Sequence, residues 1–146
     1  MRRAVELARA AGCTISLDLA SYNVVESNLA FLHDIVEKYV DIVFANETEA
    51  RAFTGLTDPR ASLALLAGLC HTAIVKVGKA GSWVRRGDEE HFVEPWPADP
   101  VDATGAGDSF WGAYLFFFPL SLHIFTSKTS PDVSWGCPSQ VPGGLS

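Results

Sequence analysis

The strongest constraint on the fold is a pair of nearly continuous apolar runs of strand length, VDIVFA at residues 40–45 and TAIVKV at residues 72–77. A strand with one face in water alternates polar and apolar side chains, whereas these runs do not. Such runs are typical of parallel strands that are covered on both faces. Helical patterns separate them, which predicts an α/β domain with an open, mostly parallel sheet and flanking helices.

Helix and strand patterns alternate along the first 118 residues. Apolar side chains repeat at intervals of three and four from Leu29 to Tyr39, which predicts an amphipathic helix. The segment GSWVRRGDEEHFVE predicts two strands joined as a β-hairpin around residues 86–88. The other predictions are helices at about 4–11, 47–53, 59–69 and 106–117, a strand at 14–19, and a loop at 20–28.

Composition disfavours several classes of function. The 146 residues carry 11 Lys and Arg against 17 Asp and Glu, a net charge of −6, so no general positive field attracts nucleic acid or an anionic membrane. Three cysteines and four histidines are scattered, without a disulfide framework or zinc-binding spacing. No secretory leader or membrane-spanning run is recognised. We therefore expect a cytoplasmic protein with neither a nucleic-acid nor a membrane partner.

Ligands of open parallel sheets collect at the carboxyl ends of the strands, and three such ends carry unusual residues. The first is NETE, in which Asn46 and Glu49 lie three positions apart, so that an amide and a carboxylate share one face. Such a pair could hold a hydrated Mg²⁺ and a phosphate oxygen. It also has the pattern of a helix capping box, and the motif alone leaves both interpretations open.

The second strand end is KVGKAGS, in which Gly78 and Gly81 follow Lys76. The segment is not a P-loop, because Lys79 is followed by alanine and the first glycine of that motif is absent. A glycine turn after a buried strand allows a nucleotide to approach the backbone. It serves equally well as a tight connection into the hairpin.

The third is DATGAGD at residues 102–108, immediately before an apolar helical pattern. Gly105 and Gly107 allow consecutive N–H groups to turn toward one point at the start of that helix, which is an anion site. A carboxylate at Asp108 repels a phosphate bound there, so its presence suggests that it has a chemical task. In phosphoryl transfer that task is to accept the proton of the attacking hydroxyl.

These three motifs, in this order, resemble those of the ribokinase-like sugar and nucleoside kinases, the PfkB carbohydrate kinase family. DATGAGD is similar to the C-terminal signature of the family, NETE to its NxxE motif, and KVGKAG to its nucleotide loop. The similarity covers about residues 1–118, and the sequence of this part is nearest to bacterial adenosine-kinase-like members of the family. The resemblance implies a ribokinase-like fold and ATP-dependent phosphorylation of a hydroxyl group on a small sugar or nucleoside.

The resemblance also implies roles for the matching positions. Asp108 would be the catalytic base, and the amides of Gly105, Ala106 and Gly107 the anion hole. Nucleotide-binding roles would fall on Asn46, Glu49, Lys76, Gly78, Gly81 and Thr104, and metal-binding roles on Glu49 and Asp102. ATP and Mg²⁺ would be the cofactors. K⁺ would be an additional one, because the loop that matches Asp102 and Thr104 binds a monovalent cation in many relatives.

Three features depart from the family pattern. Many relatives carry a small hydroxyl residue where this chain has Lys76. In the segment LDLASYN, Asp18 and Asn23 are only a weak match to residues that face the phosphates. The N-terminal half of the family, which supplies further strands, a lid and the residues that grip the sugar, has no counterpart here.

The matching part ends at residue 118, so we expect a kinase part at residues 1–118 and a poorly ordered Ser/Pro-rich tail at 119–146. Two hypotheses follow. The chain could retain kinase activity, with a second copy or a missing N-terminal half as partner. Alternatively, it could be an inactive fragment that binds only nucleotide or a partner. A generic α/β domain would require three chance matches.

Overall fold

The computed structural model describes residues 1–97 and 104–125, with side chains up to residue 117. The chain divides into two compact units, Met1–Asp99 and Pro100–Ser146. The elements of the first unit are α1 (Arg2–Ala10), β1 (Ser16–Asp18), α2 (Tyr22–Ser27), α3 (Leu29–Tyr39), β2 (Ile42–Asn46), α4 (Glu47–Thr54), α5 (Pro59–Leu69), β3 (Thr72–Lys76), β4 (Ser82–Arg86) and β5 (Glu89–Val93). The described element of the second unit is α6 (Ala106–Phe125).

The strands of the first unit form one sheet in the order β1-β2-β3-β4-β5. β1, β2 and β3 are parallel neighbours, and β4 and β5 are added antiparallel as the predicted hairpin. The predicted α/β architecture with flanking helices and one hairpin is confirmed. Because two of the four described strand pairs are antiparallel, the sheet is mixed. The parallel half places the carboxyl ends of β1, β2 and β3 along one edge.

The core explains why the apolar runs do not alternate. Both faces of β2 and β3 are buried, since Val43 and Phe44 on β2 and Ile74 and Val75 on β3 are all inaccessible to solvent. One face packs against α3, α4 and α5 through the buried side chains Leu32, Ile35, Val36, Ala50, Phe53, Leu63 and Leu66. Burial of this apolar area is the main driving force for forming these elements.

Local signals place most helix ends where the sequence predicts them. Asp58 caps α5 by accepting the backbone N–H of Ala61 at 2.9 Å, and Pro59 occupies the first helical position. Gly55 ends α4 in the left-handed conformation, with φ of 75°. None of the helices in the described part of the chain combines the length and hydropathy needed to cross a bilayer.

Two sequence predictions about helices are wrong. The segment predicted as a loop at 20–28 contains α2. The polar residues around Val25 favour a helix only weakly, but the fully buried side chain of Val25 holds α2 against the core. Helix α6 begins at Ala106 as predicted but continues to Phe125, past the predicted end at 117. Proline weakens a helix without forbidding it, so Pro119 does not end α6. The remainder of the predicted tail, residues 126–146, lies outside the described residues.

Helix α5 is fastened to the hairpin by one arginine. Arg60 Nε donates to Glu90 Oε1 at 2.5 Å, and its guanidinium lies 5.3 Å from the centre of the Trp83 ring. Trp83 in turn packs on Phe92 of the neighbouring strand, with ring centres 4.6 Å apart. These contacts hold the strand that follows the glycine turn in a defined position.

Candidate active site

The parallel sheet brings three polar side chains to the carboxyl ends of neighbouring strands. Asp18 ends β1 opposite Phe44, and Asn46 ends β2 opposite Lys76, the last residue of β3. Side chains two positions apart on a strand share a face, so the register places Asp18, Asn46 and Lys76 on the same face of the sheet. This edge is where ligands of open α/β sheets bind.

The NETE motif forms a complete capping box. Asn46 Oδ1 accepts the backbone N–H of Glu49 at 2.9 Å, and Glu49 Oε2 accepts the backbone N–H of Asn46 at 2.8 Å. Asn46 Nδ2 donates to the other carboxylate oxygen at 2.7 Å. Glu49 is only 5% exposed. The capping interpretation is therefore confirmed, and it leaves a rigid, buried carboxylate at the carboxyl edge of the sheet.

The cap does not exhaust the carboxylate of Glu49. An ionised carboxylate has about four acceptor positions, and Asn46 occupies two of them. The remaining positions are available to a water molecule or a donor on a ligand. The two interpretations of NETE are therefore compatible, because the same hydrogen bonds that cap α4 also orient the acid.

Lys76 forms an ion pair across the sheet. Its Nζ lies 3.4 Å from Asp18 Oδ2, and the two side chains are 19% and 18% exposed. The second oxygen of Asp18 accepts the backbone N–H of Ala20 at 2.9 Å. Lys76, Asn46, Glu49 and Asp18 are thus gathered at one edge of the first unit.

The glycine turn is a tight connection into the hairpin. Gly78 has φ of 55° and begins a single 3-10 turn, and Gly81 has φ of 122°. Val77 N donates to Gly81 O at 2.9 Å and closes the loop. A Cβ atom on Gly81 would lie 2.2 Å from Val93 O, which no side chain tolerates. The geometry therefore gives Gly81 a structural reason that applies whether or not a nucleotide binds.

The second unit carries the start of the DATGAGD helix. Gly105 has φ of 74°, and its carbonyl accepts the backbone N–H of Ser109 at 2.9 Å, which begins the hydrogen bonding of α6. Asp108 is exposed in the first turn, and Thr104 is also exposed. The first amides of a helix, here from Ala106 onward, lack acceptors within the helix and favour anions. Asp102 lies outside the described residues.

Sequence reasoning missed two features of this site. Nothing in the sequence pairs Lys76 with Asp18, which lies 58 positions earlier and on a strand that is not adjacent to β3. Nor does an alanine signal a left-handed conformation, yet Ala20 has φ of 63°. The sequence offered one hint, the weak match of Asp18 in LDLASYN to residues that face the phosphates.

Comparisons of this chain with a family profile, with known sequences and with solved structures all point to carbohydrate and nucleoside kinases. The profile of the pfkB family carbohydrate kinases matches residues 1–122. Ribokinase from Staphylococcus aureus is 29% identical over 119 residues, which cover 77% of this chain and 36% of that protein. Adenosine kinase from Sinorhizobium meliloti superposes with a TM-score of 0.75 at 34% identity, covering 80% of this chain and 36% of that one.

A ribokinase-like protein from E. coli, solved in complex with ATP and Mg²⁺, superposes with a TM-score of 0.72 at 29% identity. The match covers 82% of this chain and 40% of that one. The chain therefore spans little more than a third of the length of such relatives.

Proposed function

The chain belongs to the pfkB family of carbohydrate kinases, and we propose that it binds ATP for phosphoryl transfer to a hydroxyl group of a sugar or nucleoside. One observation carries this proposal. Asn46, Glu49 and Lys76, which stand in the family motifs, gather at the carboxyl edge of neighbouring parallel strands. That edge is where an open α/β sheet binds its ligand.

In the first unit, Lys76, Gly78 and Gly81 line the nucleotide, and Asn46 and Glu49 organise the phosphates and Mg²⁺. No three His, Cys, Asp or Glu side chains within residues 1–97 and 104–125 are grouped to hold a metal ion. Mg²⁺ does not require such a group, because it keeps several waters and takes few protein carboxylates. The anchored, buried Glu49 fits that need through its remaining acceptor positions. Bound Mg²⁺ supplies positive charge to the phosphates during transfer.

In the second unit, Asp108 is the general base that accepts the proton of the attacking hydroxyl. The amides of Gly105, Ala106 and Gly107 form the anion hole for the transferred phosphoryl group. Asp108 is exposed, and therefore accessible to a substrate hydroxyl. Thr104 and Asp102 remain the proposed positions for the loop that binds a monovalent cation.

The same proposal extends to the organisation of the protein. Residues 1–118 would be the ATP-binding part of the kinase, and the last turns of α6 would lead into the tail predicted at 119–146. The acceptor would be a small sugar or nucleoside, in keeping with the ribokinase and adenosine kinase relatives. Because this chain spans 36% of the ribokinase length, a second copy or a further segment of a longer kinase remains the proposed partner.

Separate measurements of binding and transfer test the proposal. We expect the chain to bind ATP in the presence of Mg²⁺, and to transfer labelled γ-phosphate to ribose or adenosine. Asp108→Asn should lower the transfer rate about 100-fold or more, because general bases contribute on that order, while ATP affinity is kept. Asp88→Asn, a change of another exposed acid in the hairpin turn, is the matched control and should behave as wild type.

Three results would contradict parts of this assignment. Transfer that survives Asp108→Asn would remove the catalytic base. ATP binding without any transfer would leave the second candidate from the sequence, a nucleotide-binding fragment. Failure to bind ATP with Mg²⁺ would refute the proposal altogether.

A further inference from the structure

Lys76 directs its ammonium group across the sheet. β2 lies between β1 and β3, so the contact with Asp18 requires the lysine side chain to cross the carboxyl end of β2. Asn46 occupies that end, directly opposite Lys76 in the register. The cation is therefore stationed over the strand end at which the NETE motif begins.

Asp18 is itself held by the turn that leaves β1. Its Oδ1 accepts from Ala20 N, and Ser21 N donates to Leu19 O at 2.7 Å across Ala20. With φ of 63° at Ala20, this is a γ-turn with a strained central residue. Strain of this kind in a residue other than glycine is concentrated at functional sites. The turn fixes the carboxylate that receives the lysine.

The pair contributes little as a stabilising contact. Its separation of 3.4 Å is long for a hydrogen bond, and both groups remain partly exposed. An ammonium group carries three donors, and Asp18 is the one carboxylate within residues 1–97 that Lys76 contacts. The remaining donors are available to a ligand. Without the lysine, Asp18 would place an unopposed negative charge at this edge.

We propose that Lys76 is a phosphate-binding cation and that Asp18 is the positioning residue that holds it over the end of β2. This inference rests on the proposed function, because it names the part of the nucleotide that Lys76 contacts, the phosphates rather than the base. When the phosphates arrive, the free donors of Lys76 bind them. Asp18 keeps the ammonium group oriented. Because its negative charge is paired with Lys76, Asp18 repels the phosphates less than an unpaired carboxylate would.

Titration calorimetry on the full chain tests this, with ATP, inorganic tripolyphosphate and adenosine as separate probes. Lys76→Met should weaken binding of ATP and tripolyphosphate at least about tenfold, which corresponds to about 1.4 kcal/mol, and leave adenosine affinity unchanged. Lys76→Arg should keep most of the wild-type affinity for ATP and tripolyphosphate. Lys38→Met is the matched control, because it removes a lysine that is also paired with an aspartate, Asp34 on α3.

Asp18→Asn separates positioning from a purely structural role. The amide oxygen still accepts from Ala20 but no longer attracts Lys76, so we expect ATP and tripolyphosphate to bind about threefold to tenfold more weakly, with adenosine unaffected. If Asp18 acts through Lys76, the double variant with Lys76→Met should bind no more weakly than Lys76→Met alone. Thermal unfolding of each variant shows that it is folded.

The outcomes distinguish this inference from the function on which it rests. ATP binding that is equal in wild type and Lys76→Met overturns the inference and leaves the proposed function in place. Additive losses in the double variant overturn the positioning role of Asp18. Tripolyphosphate binding that depends on Lys76 supports the inference even where no phosphoryl transfer is found. A wild-type chain that binds neither ATP nor tripolyphosphate overturns both.

Discussion

Replacing Gly81 by alanine tests whether the glycine turn is required by the fold itself. Gly81 has φ of 122°, and an added Cβ would lie 2.2 Å from Val93 O, 3.1 Å from Phe92 Cζ and 3.3 Å from Pro95 Cδ. The nearest of these atoms belongs to the backbone of β5, so it cannot rotate away. Gly78 offers a matched control, because its φ is also positive, at 55°, but nothing lies within 4 Å of its added Cβ.

The expected cost of Gly81→Ala has two parts. Holding an L-residue at a positive φ costs about 1–2 kcal/mol. Displacing β5 to admit the methyl group costs about 1–3 kcal/mol, as overpacking does elsewhere. The free energy of unfolding should therefore fall by about 2–5 kcal/mol for Gly81→Ala, but only by about 1–2 kcal/mol for Gly78→Ala.

Urea denaturation of both variants, followed by circular dichroism, measures the difference directly. Thermal unfolding provides a second measurement, with a shift of about 2–4 °C for each kcal/mol in a chain of this size. Amide hydrogen exchange in β4 and β5 should accelerate in Gly81→Ala and stay unchanged in Gly78→Ala. Equal destabilisation of the two variants would refute the claim that the approach of Val93 requires a glycine.

Three further predictions concern single side chains. Asn46→Ala removes the cap of α4 and leaves Glu49 buried without its partner, so the free energy of unfolding should fall by about 1–3 kcal/mol; an unchanged urea midpoint would contradict the capping box. Hydrogen bonds from Lys38, followed by the arginine at position 2, lower the pKa of Asp34. The ionised Asp34 therefore stabilises the fold above its unfolded pKa, and this stabilisation is lost as the pH falls through its lowered pKa in the folded chain. In a plot of thermal midpoint against pH, Asp34→Asn should lessen the decrease at acid pH, and an unchanged decrease would refute this. Burial raises the pKa of Cys70 to about 11, so its alkylation, followed by mass spectrometry, should be slow at pH 8 and rise with pH until near that value; rapid labelling of the folded chain at pH 8 would contradict the burial.

Much of the fold follows from local patterns in the sequence. The spacing of apolar residues predicted α3, and Asp58 with Pro59 predicted the start of α5. These predictions are confirmed because caps and helical periodicity act within a few residues of the chain. The two non-alternating runs became β2 and β3 for a related reason, since strands that are buried on both faces need apolar side chains on both.

Other features depended on residues that are distant in the sequence. Helix α2 forms where a loop was predicted because tertiary packing buries Val25, which outweighs weak local preference. The reason for Gly81 is the approach of Val93 from the next strand of the hairpin, and the backbone distance becomes known only from the fold. The sequence motif indicated that Gly81 was unusual, but it did not show why a glycine is required at that position.

The residue types of the candidate site were determined by the sequence alone. NETE, KVGKAG and DATGAGD named Asn46, Glu49, Lys76 and Asp108, and the order of the motifs indicated the kinase family. Which side chains of the first unit meet one another was decided only by the tertiary structure. The pairing of Lys76 with Asp18 depends on strand order, and strand order arises when apolar strands bury their faces together. No local pattern in the chain encodes that contact.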